Sequence, residues 1–205
     1  VDVVECEPLL SRAAAEVGHL AIKNRGTVGG SLVHTDPAAE WPLIATTLNA
    51  ELVLRSEDRK RTVRARKFFV GPLMTIIEPH EILCEIRFPI IQEPRLWGFQ
   101  ELCRRPGDFA IVAVACALTF DDLGKCRNAM LGVGGAHATP LHATDAEQVL
   151  IGSDCDEQAV RSAADAAAAM VDPSGDVHGS ADYRRRMVAV LTNRAIQEAL
   201  AKRGS

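Results

Sequence analysis

Aromatic residues are scarce in this sequence, and its basic residues are outnumbered by acidic ones. Only 4% of its 205 residues are aromatic, and its formal net charge is −4. A protein that binds nucleic acid without sequence preference needs basic surface to neutralise phosphates, and one that binds single strands also uses aromatic rings for stacking. The composition therefore argues against a nucleic-acid partner.

Closely spaced metal ligands are also absent. No C-x-x-C pair occurs among the six cysteines, which are Cys6, Cys84, Cys103, Cys116, Cys126 and Cys155. Iron–sulfur and structural zinc sites usually recruit cysteines at short spacing. Four histidines are equally dispersed: His34, His137, His142 and His178. We expect surface or capping roles for these histidines and no metal site in this chain.

Long apolar runs are missing as well, since no stretch reaches the roughly 20 residues that span a bilayer. Residues 1–7 carry no basic region and no long apolar stretch, unlike a secretory signal. The G-x-S-x-G pattern of many hydrolases does not occur. These absences favour a cytoplasmic protein with reduced thiols and give a hydrolase no support.

The residues that are present predict an α+β chain. Hydrophobic residues make up 47% of it, which suffices for a sizeable core. Helices are expected over 8–17, 37–48, 145–151, 156–171 and 181–202, with Asp36 and Ser180 as N-caps. Strands are expected over 51–55, 61–64, 81–88, 96–102 and 109–120, with one more ending near 134. Pro89 and Pro94 bracket a predicted linker.

One glycine-rich segment is a candidate phosphate-binding loop: Thr27-Val28-Gly29-Gly30-Ser31. Paired glycines let the backbone approach an anion closely, and successive N–H groups can point at it. Its two hydroxyls add donors, and Lys23 and Arg25 add positive charge. Taken alone, T-x-G-G-S is more often just a tight turn.

Other polar residues have simpler explanations. Arg184-Arg185-Arg186 is typical of a solvated helix start, and Asp108 of a turn or strand cap. Arg104-Arg105 fits a solvated loop as well as it fits an anion-binding or interface patch.

Residues 22–40, which contain the glycine-rich segment, resemble the second FAD-binding segment of the xanthine dehydrogenase and carbon monoxide dehydrogenase flavoprotein family. Four further stretches resemble that family in the same order: residues 68–72, 81–86, 104–112 and 177–185. Several ordered motifs are more specific than one glycine loop. The resemblance covers nearly the whole chain.

The resemblance implies an α+β architecture with two parts. Residues 1–92 are expected to form the second subdomain of a PCMH-type FAD-binding fold. Residues 93–205 are expected to form a C-terminal domain with a three-stranded antiparallel sheet and a three-helix bundle. Relatives carry an earlier nucleotide-binding subdomain with a second glycine-rich loop, and we expect this chain to lack it.

The resemblance also implies the cofactor-binding residues: Lys23, Thr27, Val28, Gly29, Gly30, Ser31, Glu40, Leu83 and Gln100. The glycine-rich segment would hold the pyrophosphate and ribityl part of FAD. Glu40 would lie on the adenosine side, and Leu83 would pack near the flavin. Gln100 stands where many relatives have lysine near the ring, and Lys23 where arginine is usual. No side chain is assigned as a catalytic acid or base.

The implied function is electron transfer in a molybdenum hydroxylase. Electrons would pass from two iron–sulfur clusters on a small subunit to FAD here, with molybdopterin on a large subunit. A homodimer of this heterotrimer is one assembly that the resemblance allows. The alternative is a flavin-free assembly module of the same complex, and a flavin reductase of the cell-wall biosynthesis type ranks last. The substrate and the electron acceptor are not determined by the sequence.

Overall fold

The computed structural model describes residues 7–90, 93 and 95–203. Cys6 and Pro94 therefore lie outside the described residues, as does part of the predicted linker. The elements follow the predicted order of helices and strands, with antiparallel sheets throughout the described residues. The predicted α+β class is confirmed.

Four helices lie in the first part of the chain: α1 (Pro8–Glu16), α2 (Leu20–Lys23), α3 (Val28–His34) and α4 (Glu40–Thr47). Pro8 opens α1, where its missing N–H costs nothing. The helix expected from residue 37 begins at Glu40 instead, with Ala39 as its N-cap. Asp36 does not cap it, because its carboxylate accepts the Ala38 N–H at 2.8 Å in the preceding turn.

The first sheet is small and antiparallel. It contains β1 (Glu51–Arg55), β2 (Lys60–Arg64) and β5 (Ile82–Arg87) in the order β2-β1-β5. Between β2 and β5 come a 3₁₀ turn, Ala65–Lys67, and the hairpin of β3 (Phe69–Gly71) and β4 (Met74–Thr75). Leu52, Leu54 and Phe68 are fully buried with Leu32 of α3, which ties the helix to this sheet.

The second sheet is larger and has the order β6-β7-β8-β9. Its strands are β6 (Leu96–Cys103), β7 (Ala110–Phe120), β8 (Cys126–Gly134) and β9 (Leu141–His142). The three predicted strands are present, and β9 adds a two-residue edge. Nearly every residue of β7 is buried, which explains its continuous apolar sequence.

Helices cover both faces of the second sheet. On one face lie α5 (Thr144–Leu150), α6 (Glu157–Met170) and α7 (Ala181–Ala201). On the other face, Leu9 of α1 and Leu43 of α4 pack against Phe99 of β6. A Cβ added at Gly98 would collide with the carbonyl oxygen of Ala195, so glycine is what lets α7 approach β6. No helix in the described part of the chain is both long and apolar enough to cross a bilayer.

Candidate functional site

A cleft of about 1520 Å³ opens where the first helices meet one end of the second sheet. We name the lining residues between 14 and 41 the first wall. We name the lining residues from 104–111, 135–138 and 172–184 the second wall. The volume exceeds the roughly 300–1,000 Å³ of typical small-molecule sites, so a large ligand can enter.

The glycine-rich segment lies in the first wall, as the start of a helix. The segment was expected to be a loop, but Thr27 is the N-cap of α3 and residues 28–31 form its first turn. Gly30 N–H donates to Thr27 Oγ1 at 2.9 Å, so that donor is already used. The amides of Val28 and Gly29, at the first two helical positions, have no intrahelical acceptor and can bind an anion.

Six of the nine predicted cofactor-binding residues line the cleft: Lys23, Thr27, Val28, Gly30, Ser31 and Glu40. The Lys23 amine donates to the carbonyl oxygen of Ala15 at 2.7 Å, which holds its charge beside the first wall. Arg25 also lines the cleft. The first wall therefore combines helix amides, a hydroxyl and two cations, which suits a phosphate group.

Gly29 and Leu83 lie behind this wall. A Cβ added at Gly29 would be 4.0 Å from Leu83 Cδ2, which is ordinary contact distance. Leu83 is half-buried on β5 and packs with the core that contains Leu32. It therefore supports α3 from the side of the first sheet.

Gln100 lies apart from the other predicted residues. Its Nε2 donates to Glu198 Oε2 of α7 at 2.8 Å, and the same oxygen accepts the Phe99 N–H at 3.1 Å. Glu198 is paired in turn with Lys202 at 3.1 Å. Gln100 thus faces the α7 side of the second sheet, and the structure does not bring it to the cleft. A flavin contact for Gln100 stays a prediction from the resemblance.

Glu40 is a buried acid at the first position of α4, and only 5% of it is exposed. Burial raises the pKa of Glu40, and the nearby charges of Glu16 and Asp36 raise it further, while Lys23 lowers it. An acid at a helix N-terminus is otherwise stabilised by the helix dipole. For Glu40, burial has the larger effect, and its pKa is raised.

Arg184 organises the second wall. Its guanidinium donates to the carbonyl oxygens of Ile111 at 2.5 Å and Gly135 at 2.7 Å, and to Asp176 Oδ2 at 2.6 Å. The hydrogen bond from Arg184 is the main reason that the pKa of Asp176 is lowered. Arg184 was expected to be solvated, and this was wrong: only 7% of it is exposed. In the sequence, the one indication of this structural role was that Arg184 lies within residues 177–185, which resemble the family.

Four histidines line the cleft: His19, His34, His137 and His178. His137 Nδ1 accepts the Asp172 N–H at 3.3 Å, which is a capping contact in the second wall. Within residues 7–90, 93 and 95–203, no group of three or more His, Cys, Asp or Glu residues is arranged to hold a metal ion.

Comparison with known proteins matches both parts of the chain. Residues 2–91 match the FAD binding domain in molybdopterin dehydrogenase, and residues 97–199 match the CO dehydrogenase flavoprotein C-terminal domain. The nicotine 6-hydroxylase medium subunit of Paenarthrobacter nicotinovorans is 38% identical over 195 residues, which are 95% of this chain and 68% of that protein. The carbon monoxide dehydrogenase medium chain of Hydrogenophaga pseudoflava is 33% identical over 95% of this chain and 68% of its own length.

Comparison with solved structures leads to the same kind of protein. Carbon monoxide dehydrogenase from Hydrogenophaga pseudoflava superposes with a TM-score of 0.94 at 34% identity, over 98% of this chain and 70% of that one. Quinoline 2-oxidoreductase from Pseudomonas putida 86 superposes with a TM-score of 0.90 at 36% identity, over 97% and 69% of the two chains. The chain thus spans about two thirds of the proteins that it matches.

Proposed function

Because the chain belongs to the flavoprotein family of the molybdopterin-dependent dehydrogenases, we propose that it binds FAD in the cleft and passes electrons from iron–sulfur clusters to an acceptor. The observation that carries this proposal is the position of the glycine-rich segment. It forms part of one wall of the cleft, and the second family-matched part of the chain forms the other. The chain is thus a component of an oxidoreductase.

The first wall suits the phosphates of FAD. The free amides at Val28 and Gly29 and the cations of Lys23 and Arg25 would face the pyrophosphate. Glu40 would accept hydrogen bonds from hydroxyl or amino groups on the adenosine side. These roles are proposals from the resemblance, supported by the position of the residues.

FAD supplies the redox chemistry when bound, and it can take up and release electrons singly or in pairs. The residues of this chain bind and orient the cofactor and limit the access of water to it. Phe109 and Arg104 belong to the second wall and would contact the cofactor from there. No acid or base of the chain is needed for the electron transfer itself.

The division at residues 92 and 93 remains part of the proposal. The family-matched segments 2–91 and 97–199 support it. However, α1 and α4 of the first part pack on the second sheet, through Leu9 and Leu43 against Phe99. We therefore propose that the sequence divides into two domains and that side chains from both of them pack together in the cluster around Phe99.

Relatives named medium subunit or medium chain belong to assemblies of several subunits. For this chain we propose a large molybdopterin-binding subunit and a small 2Fe-2S subunit as partners, with a dimer of that heterotrimer as the finer hypothesis. The five described cysteines are free thiols, which supports our proposal of a cytoplasmic location. The flavin-free assembly module is not favoured, because the FAD-binding family matches residues 2–91.

A binding titration tests the proposal. The purified protein, mixed with FAD, should quench flavin fluorescence with saturation at one FAD per chain, and FMN should compete poorly because it lacks the adenosine part. Lys23→Ala should weaken binding several-fold because a cation near the phosphates is lost. The matched control is Lys67→Ala, which removes an exposed cation outside the cleft. A protein that neither contains nor takes up FAD would contradict the proposal.

A further inference from the structure

Two buried cysteines lie together beside the second sheet. Cys126 is the first residue of β8, and Cys155 lies in the turn between α5 and α6. Only 1% of Cys126 and 5% of Cys155 are exposed, and both belong to the hydrophobic cluster between this sheet and its helices. Neither lines the cleft, so the two thiols are separate from the proposed FAD site.

The two segments that carry these cysteines are joined by three contacts. The Cys126 N–H donates to the carbonyl oxygen of Ser153, and the Gly152 N–H donates to the carbonyl oxygen of Cys126, both at 2.8 Å. Lys125 Nζ and Asp154 Oδ2 form an ion pair at 2.8 Å. The turn before α6 is therefore fixed beside the first residue of β8.

The side chains continue this pairing. The Cys126 thiol faces the Cys155 sulfur as a hydrogen-bond donor, with the carbonyl oxygen of Asn128 at 3.5 Å as its other acceptor. The Ser153 hydroxyl donates to the Cys155 sulfur at 3.8 Å and accepts the Cys155 N–H at 3.1 Å. Cys155 has a φ of 53°, in the left-handed region that residues other than glycine rarely adopt. These contacts hold it there, with its sulfur towards β8.

The two thiols differ in acidity. The hydrogen bond from Cys126 lowers the pKa of Cys155 against the opposing effect of burial. The Ser153 hydroxyl and the positive charge of Arg203 lower it further. The hydrogen bond to Cys155 and burial raise the pKa of Cys126. Because the thiolate is the form that attacks an oxidant, Cys155 is the attacking sulfur and Cys126 the second one.

A small oxidant has a short path to Cys155. The residues on either side of it, Asp154 and Asp156, are exposed, so a local opening of this turn uncovers the sulfur. A third cysteine of the same cluster, Cys116 on β7, is fully buried, and burial raises its pKa to about 12. Cys116 therefore stays a neutral thiol and serves as a matched control.

We propose that Cys155 and Cys126 form a modification site at which hydrogen peroxide converts the two thiols into a reversible disulfide. The Cys155 sulfur attacks one peroxide oxygen: the S–O bond forms, the O–O bond breaks, and the other oxygen leaves as water with the thiol proton. The Cys126 sulfur then attacks the Cys155 sulfur: the S–S bond forms, the S–O bond breaks, and a second water leaves with the Cys126 proton. The thiols lose two electrons, and the peroxide gains them.

The first experiment maps the disulfide after peroxide treatment. The purified chain, with Cys84→Ser to remove an exposed thiol, is treated with hydrogen peroxide, alkylated and digested. A peptide pair that links Cys126 to Cys155 should appear, about 2 Da lighter than the two reduced peptides together, and dithiothreitol should separate it. A treated chain without this link, or one that links Cys155 to Cys116, would overturn the proposal.

The second experiment tests the order of the two sulfurs. In Cys126→Ala the sulfenic acid at Cys155 has no second thiol to attack it, so dimedone should label Cys155 several-fold more than in the natural sequence. Cys116→Ala removes a cysteine from the same cluster and should be labelled like the natural sequence. Equal labelling of Cys155 in the natural sequence and in Cys126→Ala would contradict the role of Cys126.

The third experiment needs no substitution at the pair. A disulfide restricts the unfolded chain, so the oxidised protein should unfold at a higher urea concentration than the reduced protein. Dithiothreitol should return the midpoint to its original value. A midpoint that falls on oxidation would show that the link does not fit the folded chain, and the proposal would be wrong.

Discussion

The two walls of the cleft are held in different ways. The first wall is one continuous stretch of chain, and most of residues 19–27 in it are exposed. Its key contact joins neighbours in sequence, from Gly30 N–H to Thr27 Oγ1. The second wall is assembled from three separate stretches, and Arg184 joins carbonyl oxygens 73 and 49 residues away in the chain.

This difference indicates that the first wall is suited to binding a ligand and that the second wall is suited to stabilising the fold. The first wall presents amides, hydroxyls and cations, and it keeps several of them available to a ligand. In the second wall, Arg184 donates hydrogen bonds to main-chain carbonyl oxygens of the same wall. We therefore expect changes in the first wall to affect FAD binding more than stability, and changes at Arg184 to affect stability first.

The largest expected effect is that of Arg184→Ala. It leaves two carbonyl oxygens and the Asp176 carboxylate without their donor, and loss of hydrogen bonds from a charged group costs about 1.5–3 kcal/mol. Asp176 is partly exposed, so we expect the lower end of this range. Urea unfolding measures the loss.

The control for this experiment is Arg185→Ala. Arg185 is the next residue and is partly exposed, with a 3.5 Å pair to Asp182, so its loss should change the unfolding free energy by less than about 0.5 kcal/mol. Equal effects at the two arginines would show that Arg184 does not hold the second wall.

An intermediate effect is expected at the start of α3. A Cβ at Gly30 would be 2.9 Å from Thr27 Oγ1, so Gly30→Ala should displace the capping hydroxyl. The expected cost is about 1 kcal/mol, the usual value of an N-cap, together with a several-fold loss of FAD affinity. Urea unfolding and the FAD titration measure the two effects.

A double-mutant cycle tests whether Gly30→Ala acts through the cap. In a Thr27→Ala background the hydroxyl is gone, and alanine at position 30 should then stabilise α3 by up to about 1 kcal/mol relative to glycine. If Gly30→Ala is as damaging in that background as in the natural sequence, contact with the cap is not the cause.

The smallest expected effect is an opposite response of the two walls to pH. The pKa of Asp176 is lowered from 3.8, so its contribution to stability is present above that value and is lost as pH falls through the folded pKa. The pKa of Glu40 is raised from 4.5, so the unfolding free energy falls as pH rises from 4.5 through the folded pKa.

Two conservative variants measure these contributions separately. The stability difference between the natural sequence and Asp176→Asn should shrink as pH is lowered below about 4. Glu40→Gln should become more stable than the natural sequence as pH is raised above about 5. Two differences that change in the same direction with pH would contradict the contrast between the walls.

Much of the fold was predictable because its signals are local. The continuous apolar run of β7 and the Ser180 cap before α7 were both interpreted correctly from neighbouring residues. The family was also predictable, since its motifs are short and ordered. The expected loop at Thr27 was wrong in form, because the pair Gly29-Gly30 suggests a turn while the N-cap hydroxyl begins a helix.

Other positions depended on contacts that no local pattern encodes. Gln100 and Glu101 are adjacent on β6, yet one faces α7 and the other faces α1 and α4. The alternation of a strand predicts opposite faces but not which helix covers each face. The predicted site therefore contained Gln100, although the structure places it outside the cleft.

The sequence by itself determined the order of the elements, the family and the glycine-rich segment that lies in the first wall. These properties depend on hydrophobic periodicity, capping residues and motifs within a few residues of one another. Only the tertiary structure decided that Arg184 is buried, that the second wall exists, and that Gln100 faces α7 rather than the cleft. The physical reason is that burial and charge compensation depend on every segment that surrounds a group in space, and most of those segments are distant along the chain.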